Sequence, residues 1–92
     1  MYVVKVINKD NTSDIKPRYP FESWTDYWKA FKGNLPNTCP RCGMPLTDPV
    51  GAHVNTTKLL DWETYIIPIC RGCNKAKDIF TVDINLLLKD NL

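Results

Sequence analysis

The residues in this chain most suited to chemistry are four cysteines and one histidine. Cys39-Pro40-Arg41-Cys42 and Cys70-Arg71-Gly72-Cys73 form two C-x-x-C pairs separated by 27 residues, 43 through 69. Together they offer four thiolates, the closed tetrahedral donor set of structural zinc. Gly43, directly after Cys42, permits the tight turn of a zinc knuckle, in which backbone amides point at sulfur. The second pair stands at a predicted strand-to-helix junction, where a helix N-terminus favours negatively charged sulfur. Two disulfides would suit a secreted protein, and a thioredoxin-like redox site uses one pair, not two matched ones. A four-thiolate iron centre has the same donor count, and spacing does not separate it from zinc. The expected cofactor is one structural zinc ion on Cys39, Cys42, Cys70 and Cys73, with no organic cofactor.

The rest of the sequence must position these sulfurs. The chain has 92 residues, enough for one small domain with a marginal core, so a metal staple has a clear use. Hydrophobic residues make up 43%, charged residues 24%, and the formal net charge is +2. This balance excludes wholesale disorder and a strongly basic nucleic-acid tail. No apolar run approaches the ~20 residues of a membrane span. Residues 1–7 lack the basic start and small-residue cleavage site of a signal peptide, so the cytoplasm is the expected compartment.

Residues 3–7 are β-branched and read as a strand, followed by a polar turn over 8–14. Residues 21–33 read as a helix with Ser23 as N-cap and Gly33 as stop. Trp24, Tyr27, Trp28 and Phe31 share one face at i, i+3, i+4 and i+7, which reads as core, with an aromatic platform for a base or peptide as the alternative. Residues 52–55 and 64–69 are strand candidates joined by a hairpin across 56–63, with Pro68 where the strand leaves the ladder. A helix is expected from near Arg71 to about Phe80. The tail from Ile79 fits a strand followed by a short helix, and its periodicity does not settle the matter.

His53 lies in Gly51-Ala52-His53-Val54, eleven residues after Cys42 and seventeen before Cys70. The combination of C-P-x-C-G, A-H-V and Y-I-I-P-I-C-x-x-C-N-x-x-K resembles the zinc-containing branch of the HNH endonuclease superfamily over roughly residues 38–80. The resemblance implies an α+β fold: a zinc-stabilised treble clef (ββα, HNH-like) over 35–80, with an N-terminal strand and aromatic helix over 1–34 and an extension over 81–92, in one domain. It also implies that His53 is the general base and Asn74 the last ligand of a catalytic metal, with Lys77 as a closing basic residue. The family usually carries an acidic residue or histidine before the central histidine, and here that position is Ala52. It carries an asparagine five residues before the third cysteine, and here that position is Tyr65. G-A-H-V…Y-I-I-P-x-C also resembles a pattern in small bacterial and phage proteins.

Hydrolysis of this kind needs a divalent ion on the scissile phosphate and a neutral histidine to deprotonate water. Ala52 offers no ligand and Asn74 only a neutral one, whereas a hard cation wants several oxygens. Asp48, Asp61 and Glu63 are the nearby acids. A second divalent ion is therefore expected only if the chain is a nuclease. Arg41, Arg71, Lys75 and Lys77 cluster around the cysteines and form a candidate phosphate-binding patch. The expectation is a non-catalytic zinc module that binds nucleic acid or a protein partner and no membrane. Its alternatives are an altered HNH-type endonuclease using His53, and an inhibitor or adaptor encoded by a phage or mobile element.

Overall fold

A computed structural model describes residues 2–10, 12 and 15–90. Asn11, Ser13 and Asp14 of the predicted polar turn, and Asn91 and Leu92 of the tail, lie outside the described residues. The described chain forms β1 (Val3–Asn8), α1 (Trp24–Lys32), β2 (Pro49–Thr56), β3 (Tyr65–Cys70), β4 (Phe80–Asp83) and β5 (Leu88–Lys89). The strands make one antiparallel sheet in the order β4-β1-β2-β3-β5. No helix among the described residues is long and apolar enough to cross a membrane.

The sheet carries apolar side chains on both faces, because alternate residues of a strand point to opposite sides. Val4 and Val6 of β1, Ala52 and Val54 of β2, Ile67 of β3 and Val82 of β4 pack with Cys39 and Cys73 on one face. Ile66 packs with Trp24, Tyr27 and Trp28 of α1 on the other. Cys39 and Cys73 thus pack on the face opposite α1, while Arg71 lines a cavity with Ser23 and Trp24 at the start of the helix.

Helix α1 follows its local sequence. The Ser23 hydroxyl accepts the Asp26 amide at 3.0 Å, and Gly33 ends the helix at φ +91°, a conformation glycine takes without a Cβ clash. Three of the four aromatics are buried, while Phe31 is 62% exposed and rests its ring on Tyr27 and Phe21. Each buried ring also donates a hydrogen bond to a distant carbonyl. Trp24 Nε1 reaches Ile15 O at 3.0 Å, Tyr27 Oη reaches Lys89 O at 3.1 Å, and Trp28 Nε1 reaches Leu86 O at 2.9 Å. The rings of the helix so tie down the loop before it and the C-terminal segment.

The hairpin is present, with strands longer than the expected 52–55 and shifted from 64–69. Pro68 does not leave the ladder but stays in it, opposite Gly51. The Cys70 amide, two residues on, donates to Cys39 Sγ, and because a strand repeats its amide direction every second residue the Pro68 nitrogen also turns away from β2. There β5 has already ended, pairing only with Tyr65 and Ile66, so the missing N–H costs no ladder bond.

The helix expected from Arg71 to Phe80 is corrected to a single 3-10 turn, Cys73–Lys75, followed by extended chain into β4. Asn8 Nδ2 donates to the carbonyls of Cys73 and Ala76, both at 2.9 Å, which occupies acceptors a longer helix would use. Phe80, Thr81 and Val82 then pair with Val6, Lys5 and Val4. The strand expected in the tail from Ile79 is thus present as β4, and the chain is extended before it where a helix was expected. The tail continues as a 3-10 turn, Ile84–Leu86, and then β5.

Candidate metal centre

The first C-x-x-C pair sits on a knuckle closed by an isolated bridge between Thr38 and Pro45. The Gly43 amide donates to Cys39 O at 2.9 Å, and the Cys39 amide donates to Met44 O at 2.8 Å. Gly43 makes the turn at φ +76°. The second pair runs from the last residue of β3 into the Cys73–Lys75 turn. Together they place all four Sγ atoms within 4.8 Å of one another. Cys42 Sγ and Cys70 Sγ are 3.8 Å apart. A tetrahedron with Zn–S bonds of about 2.3 Å has edges of about 3.8 Å, whereas a disulfide needs ~2.05 Å. The cluster fits a single structural zinc ion held by Cys39, Cys42, Cys70 and Cys73.

The two buried sulfurs, Cys39 and Cys73, sit in opposite surroundings. The Cys70 amide donates to Cys39 Sγ at 3.4 Å. Burial pushes the Cys39 thiol up, but the amides of Cys70, Cys42 and Arg41 outweigh it and bring the group down to about 6. Burial and the neighbouring sulfurs push Cys73 up to about 12, against the pull of Arg41. Four thiols this close cannot share negative charge without a cation among them, and the metal supplies it. Arg41 adds a second positive group, with Nη1 3.3 Å from Cys73 Sγ and Nη2 2.6 Å from Asp78 Oδ1. Hydrogen bonds to Asp78 first, and to Cys73 next, keep that guanidinium firmly protonated. The helix N-terminus expected beneath Cys70 and Cys73 is replaced by these donors, since the turn there is only three residues long.

The other site candidates do not converge. His53 is 4% exposed and lies on the helix face of the sheet, its ring edge-on to Trp24 at 4.7 Å. Its Nε2 is 3.6 Å from Asp90 Oδ2, beyond hydrogen-bond reach. Burial lowers the His53 pKa below its ordinary value, against the opposing field of Asp90. Asn74 is exposed on the cysteine turn, which Asn8 holds to the opposite face. Tyr65 turns its hydroxyl to Asp61, 3.2 Å away. Asp48 pairs with Arg71 at 3.0 Å, so neither Asp48 nor Asp61 is gathered around His53. Lys75 and Lys77 are exposed near the cysteines.

Sequence reasoning overlooked Asn8, which anchors the second knuckle, and the pairing roles of Asp78 and Asp48. Asn8 ends a β-branched strand, but its partners are 65 and 68 residues away, beyond any local pattern. No family model, curated protein or solved structure matches the chain at a significant level.

Proposed function

We propose that this chain is a non-catalytic, HNH-like zinc module: a treble clef with its closing helix cut to one turn, whose metal holds a surface for a macromolecular partner. The observation that carries this reading is the separation of the chemistry. The four cysteines form a closed site with no open coordination position, and a closed site is structural. His53 is buried against Trp24 and Asp90 rather than beside Asn74. A general base must reach the proton it removes, directly or through one water.

Of the two partner classes, a protein is favoured over nucleic acid. Arg41 and Arg71 are each paired with a carboxylate, Asp78 and Asp48, which offsets the charge a phosphate backbone would use. Lys75 and Lys77 remain as cations for a weak phosphate contact. A reducing cytoplasm, which keeps thiols available to a metal, suits this reading.

Plasmid incubated with magnesium, manganese or nickel tests it, beside His53→Ala. No nicking is the expected result. Nicking that disappears in His53→Ala overturns the non-catalytic reading. A salt-dependent gel shift lost in Lys75→Ala with Lys77→Ala moves the partner to nucleic acid.

A further inference from the structure

The β2–β3 hairpin has two ends. At one, Pro49 pairs with Cys70 beside the metal centre. The other is the loop 57–64, separated by the length of β2, roughly 25 Å at ~3.3 Å per residue. This loop exposes three large apolar side chains within four positions: Leu59 is 90% exposed, Leu60 73% and Trp62 83%. Scattered exposed apolar side chains need no explanation, but three on one tip do.

The tip is also held in shape. Asp61 sits beneath it, with Oδ2 accepting the Thr56 hydroxyl at 2.6 Å and the Tyr65 hydroxyl at 3.2 Å, and Oδ1 accepting the Glu63 amide at 3.1 Å. The Asp61 amide donates to Lys58 O at 3.3 Å and closes a turn over 58–61. Asn55 Nδ2 donates to Glu63 O at 3.2 Å, and Lys9 Nζ donates to Thr64 Oγ1 at 3.1 Å. Leu60 takes φ +68° at the third position of this turn, where a type II turn asks for glycine. A bulky residue in that conformation is uncommon, and such outliers cluster at functional sites. The fold would be served better by glycine there, so what leucine adds is its exposed side chain.

The charges on the loop indicate what it meets. Lys58, and Lys9 held at Thr64, balance the two carboxylates, Asp61 and Glu63, which flank Trp62, so the tip has no excess positive charge. That balance does not attract a phosphate backbone or an anionic lipid surface. It suits an apolar depression with a cationic margin. We propose that the loop 57–64 is a protein-docking tip, inserting Leu59, Leu60 and Trp62 as a preformed wedge into an apolar groove of a partner protein that sets a cation against Glu63. The proposal rests on the reading of the chain as a protein-binding module. A wedge ordered before binding loses little conformational freedom on docking, and tryptophan is enriched among the residues that dominate such contacts.

The test uses the full zinc-loaded chain. Thr57→p-benzoylphenylalanine, at the margin of the wedge, is photo-crosslinked in the cells that express the protein, and the captured partner is identified, produced on its own and titrated against the unmodified chain. Trp62→Ala is expected to weaken that complex ~30-fold or more, the size of a hot-spot truncation. Glu63→Lys is expected to weaken it as well. Leu60→Gly is expected to keep or raise the melting temperature, because glycine relieves the turn, while still weakening the complex. Zinc content and melting temperature of each variant show that it is folded. A purified partner that binds Leu60→Gly and Trp62→Ala as tightly as the parent overturns the proposal, as does the absence of any protein adduct. Trp62-dependent binding to phosphatidylcholine–phosphatidylserine vesicles or to a duplex oligonucleotide overturns it too. Nicking by His53 would instead sink the non-catalytic reading, so the two failures are distinguishable.

Discussion

The two ends of the β2–β3 hairpin are ordered by different means. At the Cys70 end, four sulfurs gather from two loops, and a metal is required to reconcile their charge. At the 57–64 end, one carboxylate, Asp61, arranges the loop through ordinary hydrogen bonds to Thr56, Tyr65 and Glu63. The first arrangement fails as a whole when one component leaves. The second can be weakened locally while the sheet persists. Rigidity at the two ends therefore has different consequences for the rest of the molecule.

Zinc removal should have the largest effect. Structural zinc contributes about 10–16 kcal/mol of apparent binding free energy, against about 5–15 kcal/mol for the stability of a typical domain. Because β1 lies between β2 and β4, melting from residue 35 onward also strips β1 of both neighbours. Chelation should abolish near-ultraviolet circular dichroism and the cooperative melt, and spectra left unchanged by a chelator would end the comparison at once.

Gly51→Ala comes next. A Cβ at Gly51 would lie 2.4 Å from Trp24 Cβ and 2.6 Å from the Trp24 carbonyl carbon, so backbone must move. The expected loss is ~1–3 kcal/mol in a denaturant titration, the usual cost of overpacking. No loss would mean that helix and sheet are not in close contact at this point.

Asp61→Ala should be smaller, about 1 kcal/mol, because it leaves the largely buried Thr56 hydroxyl without its acceptor. Its effect should be confined to the loop, read as faster amide exchange at 57–64 with the metal centre unaltered. Exchange that spread to the cysteines would erase the distinction between the two ends.

The subtlest expectation concerns pH. Burial lowers the His53 pKa below its unfolded value of about 6.5. The unfolded chain then binds more protons, so this contribution is complete above pH ~6.5 and is lost as pH falls through the lower folded value. The imidazole resonances should titrate below 6.5 in the zinc-loaded protein. Titration above 6.5 would show that Asp90 outweighs burial.

Legibility in the sequence followed the range of each interaction. Cys39, Cys42, Cys70 and Cys73 were readable because metal ligation writes a local spacing. Ser23, the aromatic face and Gly33 were readable because a helix repeats every few residues. The 3-10 turn after Cys73 was not, since its form depends on Asn8 at the other end of the chain. The pairing of Val4 with Val82 left no mark either, because a strand's partner is chosen by register across the sheet. His53 looked catalytic by motif, yet the period-two alternation of β2 turns it toward α1 and away from Asn74.

The position of β1 in the sheet also sets a timetable. Its second neighbour, β4, is separated from it in sequence by residues 9–79 and is therefore synthesised long after it. The first strand must wait unpaired on one edge, a delay typical of folds dominated by distant contacts. Cys39, Cys42, Cys70 and Cys73 all precede β4 in the chain, so zinc can close their site before β4 pairs. That event shortens the remaining search, since Asn8 then finds its two carbonyls already held in place.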